Sequence, residues 1–492
     1  MAEIADYYNI LRIPWDATAE EIRSAYFAAT RAYHPDVNPS PEAQRIFIQI
    51  QEAYEVLSNP QKRATYDASI PVEYRRPPSV ALEWIISRAT IPRLNESQLV
   101  YALLDLKTTV SPDPTLAPPA HICLVVDRST SMRGERIEMV KRSIGRLVQK
   151  LRPNDLISLI AFGDKAEVIL NATPAQNQIE ILHTVNQLQV GGGTEILRGL
   201  EAAISLTRFV NHANNVTAQI WLITDGHTYG DEQASIELAA NAHQDGIVIN
   251  AFGIGKDWND DFLDSLAGVA GGSVHLVMDE EDLGRYFEHK GINLKQLYAR
   301  NLEIGFMSEA GVGLNYAFKV AEDPVVLPTE NPIPIGDLYY KQGIKIIFEF
   351  LIPPLQPEIV NLQLMRGKLS MEVPSSKIRF WRIPISINCE VRDKVEFAHF
   401  PEDLVEILAQ LTLYRMQERA RKEVTTGDVS RATRRLQYLA SHLLAKGKYL
   451  LARSVLAEAD HLQRTHQMSD ERGKKIKYGT RALLLPSGTE EE

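Results

Sequence analysis

Three short stretches carry side chains of the kind that bind a hard cation. "VVDRSTSM" offers Asp127, Ser129 and Ser131, "GGGTE" offers Thr194, and "LITDGHTYGD" offers Asp225. Alternate spacing turns one carboxylate and two hydroxyls of the first stretch to one side. All five are oxygen ligands without a soft competitor, the set expected for magnesium, or manganese, in octahedral geometry. They do not fill six positions, so water and a ligand from outside must complete the shell. A fourth stretch, "RAYHPDVNPSP", sets His34, Pro35 and Asp36 where an amphipathic pattern stops. Pro35 disfavours helical geometry at His34, and Pro39 and Pro41 prolong the break, so a loop presents an imidazole and a carboxylate free of helix hydrogen bonding.

The cation-binding stretches need elements that bring them together. From His121 onward, apolar runs such as "HICLVVD", "AQIWLITDG" and "IVINAFGIG" alternate with amphipathic ones such as "RIEMVKRSIGRLVQKL". Buried strands alternating with helices predict a mostly parallel, doubly wound sheet covered on both faces, with "LISLIAFG" and "AEVIL" forming a hairpin around Asp164 and Lys165. Ligands of such sheets bind beyond the carboxyl ends of the strands, where all three stretches fall. The plainer alternative is that Ser129 and Ser131 cap the next helix and Asp225 ends its strand, but capping does not require three loops to carry ligands at once. Gly191 to Gly193 lack the lysine of a phosphate-binding loop and read as a flexible hinge. The pattern from about His121 to Lys290 resembles the von Willebrand factor A domain with a complete metal-ion-dependent adhesion site, Rossmann-like in fold. The resemblance implies metal ligation by Asp127, Ser129, Ser131, Thr194 and Asp225, and a partner protein whose acidic side chain supplies the remaining ligand.

Around the His-Pro-Asp stretch, "TAEEIRSAYFAATRAYH" opens with a capping box, Thr18 and Glu21, and repeats Ile22, Tyr26, Ala29 and Tyr33 at helical spacing. "EAQRIFIQIQEAYEVLSNP" carries a second stripe, so two antiparallel helices are expected to pack with the loop at one end. Together with "DYYNIL" and "NPQKRATYD", Ala5 to Asp67 resemble a J domain. That resemblance implies a DnaK-type heat-shock chaperone as partner, His34, Pro35 and Asp36 as the motif that stimulates its ATPase, and Arg23 and Arg31 as contacts. The second helix departs from the family in having few basic residues: Phe27, Ala28 and Ala32 stand along it and Val37 follows Asp36. Fewer charges mean slower steered association.

The rest of the chain reads as connectors and support. The expected division is a J domain at 1–69, a linker at 70–81, first β-sandwich strands at 82–112, the A domain at 120–295, the remaining sandwich strands at 298–395, a helical bundle at 400–466 and a mobile tail at 467–492. The expected fold is therefore multidomain: an all-α J domain, a doubly wound α/β domain inserted in a β-sandwich, and a C-terminal α-helical bundle. A net charge of −10 argues against nucleic acid as partner, and two cysteines, Cys123 and Cys389, exclude a disulfide framework and fit a reducing cytoplasm. No apolar run is long enough to span a bilayer, and the N-terminus has no export pattern. The expected function is a non-enzymatic co-chaperone or adaptor joining a DnaK-type chaperone to a metal-bound protein partner; the alternative is a scaffold with a degenerate J domain. A hydrolase is the weakest class, because the metal stretches offer no convincing general base beside the ligands; His227, two residues after Asp225, reads as a loop histidine.

Overall fold

The computed structural model describes residues 6–35, 41–113, 117–214, 216–226, 228, 230–309, 311–321, 324–395 and 400–484. At the N-terminus are α1 (Tyr7–Leu11), α2 (Ala19–Tyr33), α3 (Pro41–Leu57) and α4 (Pro60–Ser69). Both hydrogen bonds of the Thr18–Glu21 capping box are made. The second helix stops at Tyr33 with His34 extended at ψ 134°, as a residue before proline must be. Tyr26 stacks on Tyr54 at 4.0 Å and His34 meets the edge of Phe47 at 5.7 Å, so α2 and α3 run antiparallel.

This helical unit is seated on its neighbours. Asn9 donates to Lys377 O at 2.8 Å and accepts from Arg379 N at 3.0 Å, and Arg382 pairs with Glu21 at 2.9 Å. Arg12 reaches the Asp245 carbonyl at 3.3 Å.

Three strands follow, β1 (Ala81–Ile86), β2 (Thr90–Pro92) and β3 (Gln98–Lys107), and then an α/β unit. It comprises β4 (Ala120–Asp127), α5 (Glu135–Lys150), β5 (Leu156–Phe162), β6 (Ala166–Pro174), α6 (Gln178–Asn186), α7 (Ile196–Asn214), β7 (Thr217–Thr224), α8 (Glu232–Gln244), β8 (Val248–Ile254), α9 (Asp260–Val269), β9 (Val274–Val277) and α10 (Glu280–Leu294). The strand order is β6-β5-β4-β7-β8-β9, parallel except for the β5–β6 hairpin. Every residue of β4 is buried, and its alternate side chains feed two cores. Ile122, Leu124 and Val126 pack with α5 and α10, while Cys123 and Val125 pack with α7 and α9. Burial on both faces is why the run is continuously apolar.

Seven further strands are β10 (Leu297–Met307), β11 (Gly313–Val320), β12 (Val325–Leu327), β13 (Ile333–Tyr339), β14 (Ile344–Ile352), β15 (Asn361–Glu372) and β16 (Phe380–Arg392). They form two five-stranded sheets, ordered β1-β3-β14-β11-β12 and β13-β10-β15-β16-β2. The β3 strand pairs antiparallel with β14 and β2 pairs parallel with β16, so residues before and after the α/β unit share both sheets. Val100, Phe348 and Phe350 from one sheet and Ile304, Leu364 and Ile387 from the other belong to one hydrophobic core. The run "LEWIISRATI" reads as one strand in sequence but divides between the two sheets, and β12 and β13 escape a periodicity reading. In β13, Pro334 and Gly336 interrupt the pattern expected of a strand.

The last element departs most from expectation. After α11 (Glu402–Thr425), α12 (Val429–Ala445) and α13 (Tyr449–Thr465) comes α14 (Asp470–Ala482), where a mobile tail was expected. Lys477 is buried against Asp260 at 2.7 Å and Asp264 at 2.8 Å, and Arg481 pairs with Asp264 at 2.7 Å. Burial pushes the Asp260 carboxyl up, but Arg421 and Lys477 more than offset this and hold it below its ordinary range. The segment reads as a mobile tail in sequence because the acidic partners of Lys477 and Arg481 on α9 lie 217 positions earlier.

Candidate functional site

The end of β4 supplies Asp127, whose side chain is fully buried. Its Oδ1 accepts from Ser129 N at 2.8 Å and its Oδ2 from the Thr224 hydroxyl at 2.7 Å. Burial pushes the Asp127 carboxyl up; the Thr224 and Ser129 hydrogen bonds work against this, and nearby Asp225 adds to it. Ser129 Oγ and Ser131 Oγ lie 2.9 Å apart, and Ser131 donates to Asp225 Oδ1 at 2.7 Å. Neither serine caps α5, whose N-cap is Gly134 and which has no side-chain cap hydrogen bond; the short turn after Ser129 has none either. The two serines thus make no capping hydrogen bond, while Asp225 directly follows the last residue of β7.

The loop carrying Thr194 is tied to the first by Gly191 N donating to Arg128 O at 2.6 Å. Two of its glycines are constrained by the backbone or by close approach, whereas a Cβ on Gly191 would meet nothing within 4 Å. Gly192 has φ +96°, and a Cβ on Gly193 would lie 2.7 Å from the Asp164 carboxylate, which accepts from Gly193 N at 2.9 Å. Thr194 meets the Asp225 loop, since a Cβ on Gly226 would sit 3.4 Å from Thr194 Oγ1. The start of α7 is capped from a distance: Thr228 accepts from Ile196 N at 3.4 Å and Asp231 from Leu197 N at 3.1 Å. Those caps fix the helix that follows Thr194.

The three loops thus converge, with both carboxylates buried, Ser131 exposed and Thr194 half-buried. Adjacent ligand oxygens of an octahedral ion with bonds of about 2.1 Å stand about 3 Å apart. The Ser129–Ser131 and Ser131–Asp225 separations of 2.9 and 2.7 Å fit that spacing. Among the described residues no group of three or more His, Cys, Asp or Glu side chains is placed to hold a metal, so an ion held here would need the hydroxyls as well. Sequence reasoning missed Thr224, Thr228, Asp231 and Arg136. Arg136 Nη1 donates to Asp225 Oδ2 and, at 3.4 Å, to Ser131 O. An arginine two positions into an amphipathic helix gives no sequence signal of this role.

Of the other predicted residues, His34 and Pro35 are half-buried at the end of α2, while Asp36 and His227 lie outside the described residues. Arg23 and Arg31 are exposed on α2, and Arg23 lies over the ring of Phe27, itself 55% exposed, at 5.6 Å. The outward face of α2 is thus part apolar and part cationic. The helical unit touches the α/β unit at Asp245, before β8, whereas Asp127 and Asp225 lie just at or beyond the far ends of parallel β4 and β7. The J-domain contact at Asp245 and the oxygen cluster therefore lie at opposite strand ends of one sheet.

A parallel sheet flanked by helices, with Asp-x-Ser-x-Ser after its first strand, defines a von Willebrand factor type A domain, and the N-terminal helical unit is a J domain. Family models match accordingly: the DnaJ domain at residues 6–67, the von Willebrand factor type A domain at 121–289, and the Sll0103-like C-terminal alpha-helical domain at 402–486. The chain thus carries a J domain and a von Willebrand factor type A domain. The uncharacterized protein sll0103 of Synechocystis is 24% identical over 394 residues, covering 76% of this chain and 90% of that protein. Chaperone protein DnaJ 2 of Thermus thermophilus is 58% identical over 67 residues, 14% of this chain and 24% of that protein. The chain thus spans less than a quarter of that relative's length. Among solved structures, a von Willebrand factor type A protein from Catenulispora acidiphila superposes with a TM-score of 0.65 at 15% identity, covering 82% of this chain and 97% of that one. The ArnB paralog VWA2 from Sulfolobus acidocaldarius gives 0.51 at 16% identity, covering 83% and 100%. At such identities the likeness concerns fold alone. No helix among the described residues is long and apolar enough to cross a membrane.

Proposed function

We propose that this chain is an adaptor of the co-chaperone class: its J domain recruits and stimulates a DnaK-type chaperone, and its A domain holds a protein partner through a divalent cation. The observation that carries this reading is the seating of the J domain at one strand end of the α/β sheet and of five converging oxygen side chains at the other. Such an arrangement keeps two partners apart while fixing their relative placement. Asp127, Ser129, Ser131, Thr194 and Asp225 would hold Mg2+, or Mn2+; a bound ion supplies an electrophilic position for a carboxylate of the partner. The exposed side of the cluster, at Ser131 and Thr194, is where that partner would approach. The reading assigns His34, Pro35 and Asp36 to chaperone stimulation, Arg23 and Arg31 to chaperone contact, and no residue to catalysis. It assigns the chain to a reducing cytoplasm, in keeping with Cys123 and Cys389 as buried free thiols.

The test is single-turnover ATP hydrolysis by a DnaK-type chaperone with wild type, Asp36→Asn and Asp127→Ala. Acceleration by wild type and Asp127→Ala but not by Asp36→Asn supports the reading. Equal rates for wild type and Asp36→Asn would replace it with a scaffold whose J domain only docks. The sparse positive charge of α2, where Phe27 stands exposed between Arg23 and Arg31, is the observation favouring that second reading.

A further inference from the structure

Arg136 makes contacts that an ordinary helix-surface arginine does not. Its Nη1 donates to Asp225 Oδ2 and to Ser131 O, both belonging to the proposed cation site. Asp225 is fully buried, and its other oxygen already accepts from Ser131, so both carboxylate oxygens are engaged. The guanidinium also faces the loop between β8 and α9: Nη2 lies 3.8 Å from Asp257 Oδ2, and a Cβ on Gly255, at φ +71°, would lie 3.3 Å from Nη2. That loop is gripped from behind. Trp258 donates to Gly255 O at 3.0 Å, and Lys474 of α14 donates to the carbonyls of Lys256 and Trp258. Arg136 is therefore held at both ends rather than adrift.

We infer that Arg136 is a built-in competitor for the divalent cation, an internal positive charge on Asp225 that must withdraw when an ion binds. This rests on the cation-site reading above. A guanidinium and a divalent ion sharing one buried carboxylate repel each other at short range, and in a poorly solvated site that repulsion is weakly screened. The arginine thus satisfies Asp225 when no ion is bound, at the expense of affinity for the ion. Asp257, 60% exposed, gives the displaced guanidinium a partner toward solvent. The rival role is a supporting one, in which Arg136 keeps Asp225 oriented while the ion takes the other oxygen; it predicts the opposite change in affinity.

Calorimetric titration of the full chain with Mn2+ alone separates the two roles, comparing wild type, Arg136→Gln and Arg136→Lys. Since Arg136 is one-third exposed, both variants are expected to fold, which their melting curves check. Competition predicts that Arg136→Gln binds Mn2+ at least about tenfold tighter than wild type, the scale of a charge-assisted hydrogen bond, with Arg136→Lys nearer wild type. Equal or weaker binding by Arg136→Gln overturns the inference, and so does Arg136→Lys binding as tightly as Arg136→Gln. Failure of every folded form to bind removes the cation-site reading itself; wild-type binding left unchanged by Arg136→Gln removes the competitor alone.

Discussion

The Ser131 hydroxyl donates to Asp225 Oδ1 at 2.7 Å across 94 positions of sequence. The contact follows from sheet register. Val126 of β4 stands opposite Ile223 of β7 in parallel pairing, so Asp127 and Thr224 leave the sheet side by side and their loops fold over the same end of it. The Thr224–Asp127 hydrogen bond is the first contact beyond the ladder and the Ser131–Asp225 bond the next.

If these loops form a cation site, Mn2+ at about 100 times its Kd should stabilise the chain by about 2.7 kcal/mol through binding linkage. Asp127→Ala and Ser131→Ala should each abolish most of that gain. Thermal melts with and without Mn2+ measure it; an undiminished gain in both variants would locate the ion elsewhere.

Thr224→Val keeps the side-chain shape but leaves buried Asp127 Oδ2 without its hydroxyl donor. A loss of about 1–3 kcal/mol is expected, the cost of an unsatisfied buried acceptor. Urea denaturation followed by tryptophan fluorescence is suited to this, because buried Trp221 lies on the same strand. A change below a few tenths would mean that the carboxylate finds water instead.

The seat of α14 should be sensitive to acid. Burial raises the Asp260 and Asp264 carboxyls, but Arg421, Lys477 and Arg481 hold both below the ordinary aspartate range. Depressed carboxylates contribute stability that is fully present above their unfolded value and is lost as pH falls from there through the folded values. Lys477→Met should therefore cost about 3–5 kcal/mol at neutral pH, as expected on breaking a buried pair. It should also flatten the decline below about pH 4, the ordinary unfolded aspartate value. Denaturation at neutral pH and at about pH 3 checks both, and parallel acid limbs for variant and wild type would contradict the assignment.

Arg382→Glu sets like charges against Glu21 and Asp16 where the J domain meets the sheets. Hydrogen exchange in the first turn of α2 should quicken, while global stability changes by less than about 1 kcal/mol, because the pair is part-exposed. Unaltered exchange there would show that the Asn9 and Arg12 contacts seat the J domain without it.

Much of this architecture was legible in the residues because it depends on local or periodic rules. The capping box at Thr18, the end of α2 before Pro35 and the β5–β6 hairpin each follow from a few adjacent side chains. The continuous apolar run of β4 likewise announced a strand buried on both faces. The five oxygen side chains were legible by type and spacing, although their convergence depends on strand order. Where expectation failed, the deciding interaction was distant. The α14 segment looked like a mobile basic tail because Asp260 and Asp264 are remote in sequence, and "LEWIISRATI" looked like one strand because its division depends on which sheet each half joins. By itself the sequence determined which residues can form helices, strands and oxygen ligands, since propensity, capping and periodicity act over a few residues. Only the tertiary structure decided which charges meet, that Arg136 lies on Asp225 and Lys477 between two aspartates, because a buried charge takes its partner from whatever element packs against it.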